Sequence, residues 1–389
     1  MSTGKIYFKN LDSIRFFAAL MVFLAHGISP SYQYLPIENT VWEKLLTLIS
    51  SGGTGVSIFF VLSGFLITYL LIQEYETTKT ISVRNFYMRR VLRIWPLYYL
   101  VVTFSFFIYP FIKNLIGIDN PLGSNVLYHL TFLSNFDVIN IQENCPGNDA
   151  MSQGITWSVS IEEQFYLFWP LIFAFLPRKG WFFAILFIIG GSVYFRILNH
   201  ENNSVLYFHT FSVLADLGIG GLAAYLVKKF APVKRFFENT GSKTHLLLFA
   251  FSFCLLFWGD PLFSFKYGNA IGRIVIAASF ALIITAQALT KTNSRLDLSR
   301  LTFPNNWGKY TYGIYLLHPI AITILDVLVR VLNVPKTNFI SLFLIGILGF
   351  VLTLILSKTS FIYFEARFLK LKHRFDTEKK APETLVAAK

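Results

Sequence analysis

The chain is expected to fold as an all-α, polytopic membrane helix bundle of about ten transmembrane helices with both termini cytoplasmic. Three observations predict this. Of 389 residues, 54% are hydrophobic and only 14% charged, far less charge than a soluble domain of this size carries. Apolar stretches of spanning length recur along the whole sequence, and the mean hydropathy is +0.55. The net charge is +13, but Lys and Arg concentrate in the connections on every second side of the apolar stretches. That is the positive-inside pattern of a membrane topology rather than a nucleic-acid patch.

Spans are expected near 11–29, 53–73, 94–112, 157–177, 181–198, 210–227, 245–258, 270–290, 310–332 and 339–362. Span one (LDSIRFFAALMVFLAHG) reads as a retained helix, because Arg15 and His26 bound its apolar run and no small-residue cleavage pattern follows. Span two brings Gly53, Gly55 and Gly64 with Ser57 and Ser63 into GGTGVSIFFVLSGFLITYLL, a composition that lets helices approach closely. The basic connection 74–93 leads to span three, whose return into the membrane is marked by Trp95 and Pro96. The external stretch 113–156 contains LYHLTFLSNF, an interfacial or re-entrant helix, and then a polar loop. Span four carries Glu162 and Glu163, span six Asp216, span seven Cys254 and span eight Arg273, while YTYGIYLLHPI lies in span nine. With the N-terminus inside, the connections 74–93, 178–180, 228–244 and 291–309 and the C-terminal tail are cytoplasmic. Only Lys44, Lys113, Lys266 and Lys336 then fall outside. The organisation is one transmembrane domain, 1–366, followed by a basic tail, 367–389, amphipathic at first and then disordered.

Cys145 and Cys254 are too few for a disulfide framework, and one sits in a loop while the other sits in a span. The seven His are scattered without HxxxH or HExxH spacing, so no metal is expected. No inverted pair of Gly/Pro-interrupted spans suggests a transporter.

Chemistry is concentrated in a few places. Arg15 and His26 are eleven residues apart, so in a helix they share a face at roughly 16 Å separation. A guanidinium and an imidazole on one intramembrane face are expensive unless they line a wet cavity. An imidazole there can act as a general base; a helix-packing His and a snorkelling Arg are the bland alternative. Arg89, Arg90 and Arg93 fall three and four apart, one guanidinium cluster suited to phosphate, or else an anchor on anionic lipid. Glu162 and Glu163 diverge by about 100°, so they cannot both face one partner; pairing with Arg273 or Arg196 is the structural alternative. Asp326 and Arg330 have the spacing of an intrahelical ion pair. His318 precedes Pro319, which frees a carbonyl and opens space beside the ring. Trp157, Tyr166, Tyr315 and His318 are the candidate pore or substrate lining.

Taken in order, RFFAALMVFLAH, GVSIFFVLSGFLIT, FYMRRVLRIWPLYYL, LTFLSN, TWSVSIEEQFYLFWP and YTYGIYLLHP resemble the acyltransferase-3 family across roughly residues 8–365. The resemblance implies an integral membrane O-acyltransferase of the bacterial cytoplasmic membrane. Its donor would be acetyl-CoA and its acceptor a sugar hydroxyl of a surface or secreted glycan or glycolipid, such as lipopolysaccharide, peptidoglycan or exopolysaccharide. Arg15 and His26 match the family's Arg-ten-residues-His pair, with His26 the essential one, and Arg90 and Arg93 match its Arg-x-x-Arg. The segment YTYGIYLLH has Thr-Tyr-Gly where Ser-Tyr-Ser is common. Some members carry an extra span and a secreted SGNH hydrolase-like domain. This chain resembles the stand-alone type, for which a second transfer step would need a separate periplasmic transferase.

Both readings fit one mechanism. The Arg89, Arg90 and Arg93 cluster takes the CoA phosphates, the pantetheine arm passes Arg15, and His26 is a general base or, alternatively, a covalent acyl carrier. Glu162 or Glu163 would orient an imidazole or bind the sugar. A transporter or flippase for a small anionic or glycan substrate is the main rival, with Arg15, His26 and Glu162 as its path. A subunit that passes acyl groups to a partner transferase is a third class.

Overall fold

The computed structural model describes residues 7–34, 40–115, 123–144, 154–291, 294–335 and 338–376. Among these residues the protein is entirely helical, with no strand. Each expected span overlaps a helix: α1 (Asn10–Gly27), α2 (Gly52–Thr78), α3 (Val83–Thr103, continued through a π-helical turn and the short helix Tyr109–Leu115), α4 (Thr156–Phe175), α5 (Arg178–Leu198), α6 (Thr210–Lys229), α7 (Ser242–Phe257), α8 (Gly268–Leu289), α9 (Thr311–Val331) and α10 (Phe339–Ser360). Seven helices among the described residues are long and apolar enough to cross a membrane; the number is eight if the pair Ala231–Glu238 and α7, bent by 99°, forms one span. The helices α1 and α4 are not among the seven. They carry Asp12, Arg15 and His26, and Glu162, Glu163 and Gln164, so the polar groups themselves dilute their hydropathy.

The connection expected over 74–93 is mostly helix. α2 runs on to Thr78, Lys79 takes a left-handed conformation with φ 61°, and α3 starts at Val83. Ser82 caps α3 by accepting the Asn85 N–H, and Glu74 Oε1 accepts the Ser82 N–H at 2.7 Å, which pins the turn. A hydropathy window stops where charge begins, but a capped helix does not, so Arg89, Arg90 and Arg93 stand on α3 itself. Pro96 lies inside α3 rather than ahead of it. The expected helix in LYHLTFLSNF is two, Val126–Leu130 and Ser134–Asn144, broken at Phe132 with φ 55°. Cys145, most of the polar loop and the tail beyond 376 lie outside the described residues, and Cys254 is a free thiol.

The centre of the bundle is the α2–α6 crossing, whose two helices are the most buried of the seven. A Cβ on Gly64 would strike the Leu217 carbonyl, and one on Gly220 the Val61 carbonyl, so each glycine lets the other helix's backbone come into contact. Gly55 is packed in the same way on the Ala18 carbonyl, seating α1 against α2. In lipid no hydrophobic force drives helices together, so such close packing and polar links hold the bundle. One link is buried Asp216 on α6, which pairs with Arg273 on α8 at 2.9 Å and accepts Ser57 Oγ of α2 at 2.7 Å. A second is Arg196 on α5, whose donors reach the carbonyls of Ala270 (3.0 Å), Leu206 (2.9 Å) and Asn269 (2.8 Å). Both arginines are therefore committed to the fold, and neither pairs with Glu162 or Glu163. α10 is by contrast mostly exposed along its sides, as a lipid-facing helix would be.

Candidate functional site

α1, α3, α4 and α9 bring the polar groups together as a column along the bundle. At one end stands His26, in the last turn of α1. Its Nδ1 lies 3.0 Å from the Val22 carbonyl and 3.1 Å from Nε2 of His318 on α9. Their rings are stacked with centroids 5.1 Å apart. Pro319 has no N–H, so the Tyr315 carbonyl four residues earlier has no helical donor. That carbonyl takes the His318 Nδ1–H at 2.7 Å. The tautomers follow. His318 donates through Nδ1, so its Nε2 is a lone pair. His26 Nδ1 faces that lone pair and a carbonyl, so it carries the hydrogen, which leaves Nε2 of His26 as the basic nitrogen. No hydrogen bond among the described residues occupies it. A cavity of about 190 Å³ opens beside the ring, lined by His26, Ser31, Ile322, Asp326 and Gly346 among others. Asp326, read from spacing as half of an ion pair, lines this cavity.

The other end of the column is charged. Arg15 pairs with Asp12 one turn earlier, and Asp12 also accepts the Tyr7 hydroxyl. Burial, then the Asp12 carboxylate, pushes the Tyr7 phenol up to about 12. Asp12 is nearly fully buried, its backbone packed against Gly308. Arg93 reaches this group: it lies within electrostatic range of Glu365, Arg15, Tyr312 and Asp12, with no ion pair among the described residues. Arg90 lies within electrostatic range of both Arg89 and Arg93, but the three guanidinium groups differ in what they engage. Arg89 is spent on structure, its Nη1 on the Phe375 carbonyl at 2.7 Å and its Nη2 on Glu74 at 3.2 Å. This clamps the segment after α10 onto α3. Arg90 lies over the rings of Phe86 and Tyr166, 5.6 Å from each centroid, and has no ion pair among the described residues.

Between the ends stand the two carboxylates, turned apart as their spacing requires. Glu162 accepts Ser63 Oγ at 2.7 Å and the Tyr166 hydroxyl at 3.2 Å. Glu163 accepts Trp95 Nε1 at 2.8 Å. Glu162 lies within electrostatic range of Arg90 on one side and Tyr315 on the other. Tyr315 is hydrogen-bonded to Ser158 at 2.6 Å and lies one turn from His318. On α1 itself only Ala18, Ala19 and Val22, all buried, occupy the face between Arg15 and His26. The polar connection between those two residues therefore runs through α4 and α9. Trp157, expected to line the path, is instead packed among Phe60, Tyr207 and Phe208, with centroids 4.9 to 6.0 Å apart. Tyr166, Tyr315 and His318 are in the column.

Sequence reading missed Asp12, Ser63, Trp95, Ser158, Tyr312 and Glu365. Asp12 was findable as an i, i+3 partner of Arg15. Ser63 was read as packing and Trp95 as a membrane-return marker; nothing local distinguishes them. No group of three or more His, Cys, Asp or Glu able to hold a metal occurs among the described residues.

The family model described as an acyltransferase domain matches residues 8–358. O-acetyltransferase OatA of Staphylococcus aureus strain NCTC 8325 / PS 47 is 28% identical over 328 residues, covering 80% of this chain and 50% of that protein, and OatA of strain COL matches equally. The chain thus spans about half the length of the curated relatives it matches. No solved structure matches.

Proposed function

The chain belongs to the acyltransferase-3 family, and on that premise we propose that it is a multi-pass membrane enzyme moving an acetyl or other short acyl group from cytosolic acyl-CoA to a sugar hydroxyl of a surface or secreted glycan. All ten helices α1–α10 cross the membrane in this reading, with both termini in the cytoplasm. The charged end of the column, at Arg15, Arg90 and Arg93, then faces the cytosol and the His26 cavity faces outward. Arg93 and Arg90 hold the anionic part of the donor; unlike Arg89, neither is saturated by a carboxylate or a carbonyl. The thin pantetheine arm extends up the column past Glu163 and Tyr315 toward His26.

The acceptor hydroxyl enters from the cavity beside Asp326 and Ser31. His26 Nε2 takes its proton as the oxygen attacks the thioester carbonyl, forming the C–O bond and a tetrahedral oxyanion. Collapse breaks the C–S bond, and the Nε2 proton passes to the departing sulfur, giving the ester and free CoA. The imidazolium formed in between is held at Nδ1 by the Val22 carbonyl and the His318 lone pair. The observation that carries this reading is the unbonded Nε2 of His26 at a cavity, with Nδ1 held from behind.

Transfer from radiolabelled acetyl-CoA by purified His26→Ala and His26→Gln protein tests it. Loss of about 10²–10⁴-fold in kcat is expected for both. Full activity in either variant would remove His26 from the chemistry.

A further inference from the structure

Most buried polar atoms in the column have a partner, and two charged side chains stand out because one atom of each has none. Arg90 Nε and Glu163 Oε1 are buried without any hydrogen bond, and they belong to the only charged side chains of which this is true among the described residues. Leaving a buried donor or acceptor orphaned is costly, more so when it is charged, so such atoms mark a place that something else completes. The two side chains lie within electrostatic range of each other, yet no ion pair joins them. Their other contacts hold them in place. Arg90 lies over the faces of Phe86 and Tyr166, and Glu163 Oε2 is taken by Trp95 Nε1 at 2.8 Å.

The chemistry of the missing group follows from the two orphans. Arg90 Nε–H can only donate and Glu163 Oε1 is left to accept. A group lying between them must therefore offer an acceptor atom to Arg90 Nε–H and a donor hydrogen to Glu163 Oε1. A secondary amide does both through adjacent atoms. A phosphate offers no N–H, and a sugar hydroxyl would have to serve both with one atom. We propose that Arg90 and Glu163 form a subsite for a secondary amide of the donor's pantetheine arm, with the amide C=O on Arg90 Nε and its N–H on Glu163 Oε1. This rests on the acyl-CoA reading above and adds to it how an extended, uncharged arm is held in register where it leaves the charged end of the column. The anionic end of the donor falls to Arg93 and the Nη atoms of Arg90.

A chemical mutant cycle tests this without an acceptor. Calorimetry with purified protein compares acetyl-CoA with two analogues, each having one pantetheine amide N–H replaced by an ester oxygen. Wild-type protein is expected to bind one analogue about ten-fold more weakly than acetyl-CoA. Glu163→Ala and the similarly sized Glu163→Leu should bind acetyl-CoA and that analogue within two-fold of each other, because neither side chain offers an acceptor to that N–H. Retained ten-fold discrimination in both variants overturns the subsite, as does wild-type protein that treats both analogues like acetyl-CoA. Absence of acetyl-CoA binding to wild-type protein is a different result: it removes the donor reading itself, and the subsite with it.

Discussion

His318 does not face an acceptor hydroxyl through a free nitrogen, since both of its nitrogens are engaged. Its effect on chemistry must pass through His26. With the Tyr315 carbonyl fixing Nδ1–H, the His318 lone pair selects the His26 tautomer whose base is Nε2. Without it, His26 keeps the Val22 carbonyl as a guide but loses a partner for its cationic form. Replacing His318 with Ala should lower kcat about ten-fold or more while leaving the KM for acetyl-CoA within two-fold. His318→Asn, whose side-chain oxygen can accept from His26, should recover part of the loss. Steady-state kinetics with varied acetyl-CoA reads both quantities. A KM that rises in step with the fall in kcat would assign His318 to packing. The residue pair Arg15–His26 was legible from an eleven-residue spacing, because helical periodicity projects onto one face. The His26–His318 contact was not, since it joins residues separated by 292 positions and depends on how α9 packs on α1.

At the scale of elements, the α2–α6–α8 junction carries a charge pair sealed inside the bundle. Removing one partner leaves the other charge buried and alone, which costs about 3–5 kcal/mol. Arg273→Leu should therefore lower the thermal transition of the purified protein markedly. The double variant Arg273→Leu with Asp216→Leu should recover much of it, since neither charge then remains to be desolvated. Thermal denaturation in one detergent measures all three proteins. A double variant no more stable than the single one would show that geometry, rather than charge, holds the junction. The sequence displayed both charges but not their match: Asp216 and Arg273 lie on different spans, and the same logic left Glu162 and Glu163 as equally eligible partners for Arg273. The existence of α1–α10 was readable because apolar runs of spanning length admit few alternatives, whereas the helix Thr40–Ile49 between two of them was not. Helix ends were not. α3 begins eleven residues before the position hydropathy suggests, since the Ser82 cap and the Glu74 link act through hydrogen bonds that a hydropathy profile does not contain.

For the whole molecule, the column has a direction. Its guanidinium groups, with Asp12 and Glu365, gather at the end where α1 begins, Glu162 and Glu163 lie between, and its two stacked imidazoles and cavity lie at the end where α1 stops. A donor carrying several phosphates and a neutral polyhydroxyl acceptor would approach such a column from opposite ends. The reaction then needs no movement of either substrate across the bilayer, only a meeting point roughly 16 Å above the level of Arg15. The proposal therefore requires one orientation: the Arg15 end in the cytosol. The charge distribution favours it, because the connection near 291–309 is basic and the one near 259–267 holds a single Lys. Single cysteines at these places decide the matter, introduced as Lys266→Cys and Arg295→Cys after both native cysteines are replaced by Ala. Position 266 should label with a membrane-impermeant maleimide in intact cells, and position 295 only after the membrane is opened. The opposite pattern would put the imidazoles in the cytosol and the arginines outside, where no acyl-CoA is available, and the donor route would have to be abandoned even if His26 proved essential.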